Sequence, residues 1–283
     1  MALSNYQFQF GSFLFGAGTN YQVLNVDGIE GLPALSSQDS DRGYNDGMFS
    51  GRDFLRGRTI IFQILVLAGG GNSAQTNFNS LQDNLLVQQS GTTQMNFKLS
   101  PSDSEYIINA RVRGMVTSVD PEYTFGYIKA QVTMFCPDPR YFSSTVTTAT
   151  MTVQPPLGRT YNRTYNLTYG GGSLSSSTTI TNAGRWTTYP TITITGPVTN
   201  PTVGNITTGQ YITINYNLAN TDTLVIDLDQ KTVTLNGAYA RNLLAGNSTW
   251  FGAPPGSSNY YFTGTNTTAG VTSATVTYRS AWV

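Results

Sequence analysis

Tyr189-Pro-Thr-Ile-Thr-Ile-Thr-Gly196 opens the stretch that decides the fold, which runs on to Trp250-Phe251. Pro190, Ile192 and Ile194 share one parity and threonines the other, the two-residue period of a half-buried strand. Tyr211 to Leu218 repeats the pattern with Ile212, Ile214, Tyr216 and Leu218. Asp222-Thr-Leu-Val-Ile-Asp-Leu-Asp-Gln-Lys-Thr-Val-Thr-Leu-Asn-Gly237 then reads as a hairpin. A two-residue loop near Gln230 sets Ile226 and Leu228 opposite Leu235 and Val233. A three-residue loop would set isoleucine against threonine, so the pattern predicts the former. Turn signals at Gly170-Gly-Gly172, Asn236-Gly237 and Pro254-Pro-Gly256 separate the strands, and no helical period survives. A β-sandwich is predicted.

Outward from this block the composition changes. The 283 residues suffice for two domains, each with its own core. Residues 141–283 hold 33 threonines against 8 in residues 1–140, the mark of strands with a polar face. The first 140 residues carry 9 Lys and Arg against 12 Asp and Glu, and the remainder 6 against 3. Neither balance is the strong basic excess of a nucleic-acid-binding domain. Only 11% of the chain is charged, against about 25% in ordinary soluble domains, which suits a protein locked into an assembly or working outside a cell. There is no basic start followed by an apolar run and no stretch of 18 apolar residues, so neither a signal peptide nor membrane insertion is expected.

In the first part, Thr59 to Leu67 is apolar on both parities and predicts a strand covered on two sides. Asn109 to Gly114 and Tyr127 to Cys136 alternate and read as antiparallel partners around the turn signal Asp120-Pro121. Phe78, Leu81, Leu85 and Leu86 share a helical face, with Ser73 or Thr76 as cap. The first domain is therefore expected to be β with a single helix.

Catalytic and metal chemistry find little support. The chain has no histidine, which removes the usual general base and the commonest zinc ligand. Cys136 stands alone and has inward strand parity, as a structural thiol would. Leu67-Ala-Gly-Gly-Gly-Asn-Ser-Ala-Gln-Thr76 imitates a phosphate loop but lacks its lysine and glycine spacing. Asp39-Ser-Asp-Arg-Gly-Tyr-Asn-Asp46 collects oxygen ligands without EF-hand order, and reads as a solvated loop touching a neighbouring subunit. Asp227 and Asp229 share a strand face, where a glycosidase pair could stand, beside Lys231 on the outer face. No cofactor, no metal site and no enzyme activity are expected.

Several short motifs, in order, resemble the phage distal tail proteins, the siphophage tail-tip hubs or minor tail proteins. In the second half these are Trp250-Phe251, Gly252-Ala-Pro-Pro-Gly256 and Tyr278-Arg-Ser-Ala-Trp282. In the first they are Tyr21-Gln-Val-Leu-Asn-Val-Asp-Gly28, Gly31-Leu-Pro-Ala34, Asp46-Gly47 and Gly57-Arg-Thr-Ile60, with Cys136-Pro-Asp-Pro-Arg-Tyr-Phe142 resembling the junction. The resemblance implies a mainly β protein. Residues 1–142 would form a split β-barrel-like ring domain with one helix, and residues 143–283 an outward-facing galectin-like β-sandwich. It implies a homohexameric ring at the distal end of the virion's tail, surrounding a channel through which DNA passes without specific binding. Tail tube protein and tail-tip hub protein would be neighbours, with the tape measure protein a further candidate. Head-to-tail closure needs two different complementary surfaces. The candidates are Phe8, Phe10 and Phe15 on one strand and Asp39, Asp41, Arg42, Asp46, Arg52 and Asp53 in one loop. A glycan-binding module is the alternative, with Trp186, Trp250 and Trp282 as stacking faces.

Overall fold

The computed structural model describes residues 2–119, 121–152, 175–265 and 271–283. Asp120 and the Gly170-Gly-Gly172 turn lie outside them. Two compact units divide the chain, Met1–Ser144 and Thr145–Trp282.

In the first unit β1 (Gln7–Phe10) and β2 (Phe13–Gly16) form a hairpin, followed by β3 (Tyr21–Asp27). An excursion holds four two-residue strands, β4 (Leu35–Ser36), β5 (Ser40–Asp41), β6 (Met48–Phe49) and β7 (Phe54–Leu55). Then come β8 (Arg58–Val66), α1 (Ala74–Asn84), β9 (Thr93–Lys98), β10 (Tyr106–Ser118), α2 (Pro121–Thr124), β11 (Ile128–Cys136) and β12 (Tyr141–Ser143). The main sheet runs β2-β1-β9-β10-β11-β8-β3, with β12 added to β10. Its two end strands approach through Phe13 and Tyr21, whose ring centroids lie 4.9 Å apart, so the sheet is rolled toward closure. Long β10 serves both halves: Tyr106 to Ala110 pair with β9, and Arg111 to Ser118 with β11.

The core of this unit is the inward parity of those strands. Phe8, Phe15 and Phe62 interlock with centroids 5.0–5.5 Å apart, each almost solvent-free. Burial of each ring contributes about 1.5–3 kcal/mol. β8 is covered on one face only, since Ile61 and Leu65 are half-buried and Gln63 is exposed. That corrects the two-sided expectation: a polar residue in the middle of the second parity leaves that face facing outward. In α1, Ser73 Oγ accepts the Thr76 amide, satisfying an orphan N–H, and Phe78, Leu81 and Leu85 are buried. Leu86 is exposed, because the helix ends before it.

The second unit is entirely β apart from one short 3-10 turn, Arg241–Leu243, among the described residues. Its strands are β13 (Thr147–Thr152), β14 (Ser175–Asn182), β15 (Thr191–Thr195), β16 (Val198–Asn205), β17 (Gln210–Thr213), β18 (Asn217–Leu218), β19 (Thr223–Asp227), β20 (Thr232–Leu235), β21 (Ala238–Tyr239), β22 (Gly256–Thr265), β23 (Ser273–Tyr278) and β24 (Ala281–Trp282). Two antiparallel sheets, β13-β23-β15-β19-β20-β21 and β14-β22-β16-β17 with β18 on β16, enclose one core. Ile192, Ile194, Leu224, Ile226 and Val276 of the first meet Val203, Ile212, Tyr260 and Phe262 of the second. The other parity of the first sheet is ruled by hydroxyls. Thr150, Thr275, Thr193, Val225 and Thr234 stand in register across five strands, as do Thr148, Thr277, Thr191, Asp227 and Thr232. Thr150 and Thr275 hydrogen-bond at 3.2 Å.

Two expectations within this unit change. The β19/β20 register places Ile226 opposite Val233 and Leu224 opposite Leu235, two residues from the predicted pairing. Asp227 Oδ1 accepts the amides of Asp229 and Gln230, both at 2.9 Å, and Lys231 takes φ of +54°. This Asx-type turn lengthens the loop, and a shift of two keeps every apolar residue inward. The Tyr211 to Leu218 run is also two strands, since β18 turns away to pair with the start of β16.

Candidate subunit interface

The excursion between β3 and β8 is an arm. β4 pairs with β7 and β5 with β6, two short ribbons in series that carry the chain out and back. The Arg56 amide donates to Ala34 O at 2.8 Å, and the Gly51 amide to Asp39 Oδ1 at 2.7 Å. Hydrogen bonds from Ser37 and Gly51 hold the Asp39 carboxyl below its ordinary value. Arg42 lies 5.0 Å over the Phe49 ring and Arg52 5.3 Å over Phe54.

The arm has no core beneath it. Leu32 (85% exposed), Leu35, Tyr44 (103%), Met48, Phe49 (60%) and Phe54 all face solvent in the lone chain. Covering six such side chains would be worth on the order of 10 kcal/mol before ordering costs. That is comparable with the roughly 4–15 kcal/mol of freedom lost on association. Such an arm is expected to find a partner surface.

A buried cation fixes where the arm leaves. Arg58 is 3% exposed and has no carboxylate partner among the described residues. Its Nη1 donates to the carbonyls of Gly28, Ile29 (2.5 Å) and Gly31, and its Nε to Pro139 O at 3.2 Å. Burial pulls the guanidinium below its ordinary pKa, and the carbonyl cluster replaces the water it has lost. Gly28 is required there: φ is +83°, and a Cβ would fall 2.1 Å from Thr59 O.

The structure separates the residues singled out from sequence. Asp39, Asp41, Arg42, Asp46, Arg52 and Asp53 all lie on the arm and are exposed. Phe8, Phe10 and Phe15 do not join them. Their rings are 0%, 5% and 0% exposed and form the unit's own core, so they are withdrawn as interface residues. Short Phe-x-Phe strands are apolar on one face whether that face meets their own core or a neighbour. The arm's exposed Leu32, Leu35, Tyr44, Met48, Phe49 and Phe54 escaped sequence reasoning. Their only signal is that six large apolar residues occur in a segment without periodicity.

The other candidate chemistries have plain structural roles. Cys136 is fully buried, and desolvation pushes its thiol up to about 12. Asp227 caps the amides of its own turn. Trp186 is 41% exposed, whereas Trp250 packs against the core with the Arg241 guanidinium 5.9 Å over it. Among the described residues no helix is long and apolar enough to cross a membrane, and no group of three or more His, Cys, Asp and Glu residues could hold a metal ion.

Residues 183–282 match the family model of the siphovirus-type tail component, C-terminal domain. The fold as a whole is similar to that of the Dit protein of phage SPP1, described as a paradigm of the hub of the adsorption apparatus in phages that infect Gram-positive bacteria. That match has a TM-score of 0.68 and 16% identity, covering 98% of this chain and 99% of the other. A chain of the phage P2 baseplate, in its activated conformation with Ca, is similar at a TM-score of 0.50 and 12% identity, over 96% of this chain and 97% of that one. No curated protein sequence matches. Residues 183–282 thus carry a siphovirus-type tail component domain, and the chain along its length has the fold of the SPP1 Dit protein.

Proposed function

We propose that six copies of the chain close head to tail into a ring through residues 1–142, while residues 143–283 face outward. The ring surrounds the DNA channel and joins the tail tube protein to the tail-tip hub protein, with the tape measure protein as a further neighbour. The observation that carries this reading is the arm, an extended projection whose apolar side chains have nothing to cover them within their own unit. Arm and receiving surface are different parts of one chain, so the contact is heterologous and closes only by rotation. The SPP1 protein's description as a hub supports the same role. DNA passes without specific binding, since 12 acidic against 9 basic residues in the first 140 disfavour a polyanion. The work is assembly, with no covalent chemistry.

Native mass spectrometry of the purified chain at micromolar concentration tests this reading, with a species of six chain masses expected. A monomer or trimer, or a density map of tail tips with the first unit away from the channel, would overturn it.

A further inference from the structure

β10 carries one residue more than its partner needs. Val112 faces Met134 and Gly114 faces Thr133, leaving Arg113 without an opposite number on β11. A bulge of this kind breaks the ladder locally and re-aims a side chain. Ala110 and Val112 are buried, so Arg111 stands on the opposite, outer face, and exposed Arg113 joins it there. Both guanidinium groups lie over one ring, that of Phe135, at 5.6 Å and 4.9 Å from its centroid. Gly57, the last residue of the arm, is seated on the same ring, where a Cβ would come 2.5 Å from Phe135 Cζ.

Two cations gathered on one ring repel each other, and the ring's quadrupole offsets only part of that. Two other cations of the first unit are paired, Arg140 with Asp138 at 2.7 Å and Lys129 with Glu122 at 2.6 Å. Neither Arg111 nor Arg113 has a carboxylate within ion-pair distance among the described residues, and Arg111 Nε is sealed from solvent without an acceptor. The arm shows the converse. Asp39, Asp41, Asp46 and Asp53 are exposed with no Lys or Arg in ion-pair distance, while Arg42 and Arg52 rest on the arm's own phenyl rings.

We propose that Arg111 and Arg113 form the receiving site for the carboxylates of the arm of a second copy of this chain. The inference rests on the ring reading and adds the contact that sets its register. The arm leaves its own unit beside this pair, and Asp41, paired with Met48, lies nine residues of ribbon from Gly57, a reach of at most about 30 Å. Root and tip are thus complementary and well separated, as a head-to-tail contact requires. Planar guanidinium groups suit carboxylates through paired N–H donors. The acidic excess of the first 140 residues makes a nucleic-acid phosphate the weaker candidate.

The test uses the full chain and reads assembly by mass photometry across protein concentration, with circular dichroism melts to verify folding. Arg111→Glu with Arg113→Glu is expected to raise the assembly midpoint about 100-fold, and the neutral Arg111→Gln with Arg113→Gln about tenfold. Asp39→Lys, Asp41→Lys and Asp46→Lys together should do the same as the first pair. Combining both reversals should recover the midpoint to within about tenfold of the parent, an outcome that mere damage to the fold cannot produce. Arginine variants that assemble like the parent would overturn the proposal and leave the ring standing, as would a folded double reversal that does not recover. Loss of binding to a 20-base-pair duplex with assembly unchanged would assign the pair to phosphate and also overturn it. A parent chain monomeric at every concentration would remove the ring and this contact together.

Discussion

The two units obey the same strand alternation yet finish their surfaces in opposite ways. The second turns threonine outward, in registered rows across β13, β23, β15, β19 and β20, and among its described residues leaves few large apolar side chains exposed. The first leaves Leu24, Leu32, Leu35, Met48, Phe49, Phe54, Val116, Val119 and Phe125 more than half exposed. Scattered exposed leucines need no explanation, but an arm made of them does. The contrast is that the lone chain leaves a cluster of large apolar side chains uncovered in the first unit, while the described residues of the second bury most of theirs.

Deleting the arm breaks the comparison most severely. Replacing residues 33–55 with Gly-Gly-Ser should abolish assembly, a loss on the order of 10 kcal/mol of available apolar burial, while the barrel still melts cooperatively. Analytical ultracentrifugation with a calorimetric scan measures both, and an assembled deletion variant would remove the contrast. Phe62→Ala should cost about 3–5 kcal/mol, because its ring meets Phe8 and Phe15 with no room to collapse. Chemical denaturation followed by separate probes should assign that loss to the first unit alone.

Asn182→Ala gives the matching probe in the second unit. Its side chain is 1% exposed, donates to Trp186 O and Ala253 O, and accepts the amides of Gly184 and Ala281. Losing this hub leaves buried groups unpaired and should cost roughly 2–4 kcal/mol in urea unfolding. At the bottom of the scale, Thr193→Val on the outer face should stay within about 0.5 kcal/mol of the parent. A drop of several kcal/mol there would mean the threonine rows are structural, and the surface contrast would need another cause.

How much of this was legible in the sequence follows the same division. Threonine alternating with isoleucine in Tyr189 to Gly196 gave the faces of β15 correctly, because parity is local. Register is less local: a shift of two residues at β19/β20 preserves parity, and the Asp227 turn decides it. The Phe8, Phe10 and Phe15 parity was readable, but whose core it fills was not, since own core and neighbour ask for the same pattern. The arm's ribbons are two residues long, too short for any period. Arg58 opens a strand like any polar residue, and nothing in Gly57-Arg-Thr-Ile60 announces four carbonyls converging on it from Gly28, Ile29, Gly31 and Pro139. Fold class depends on repeated short-range pattern, whereas the interface depends on what is left uncovered once the chain has folded.

The rows of threonine have a consequence for life outside a cell. A surface kept wet by charges loses long-range repulsion as ions are added and changes sign as acidity changes. Hydroxyl groups neither titrate in that range nor are screened. With 6 basic and 3 acidic residues in the last 143, the second unit holds its hydration through groups indifferent to brine, rain and acid alike. A particle waiting between hosts has no cytoplasm to buffer it, and a hydroxyl-ruled exterior asks for none.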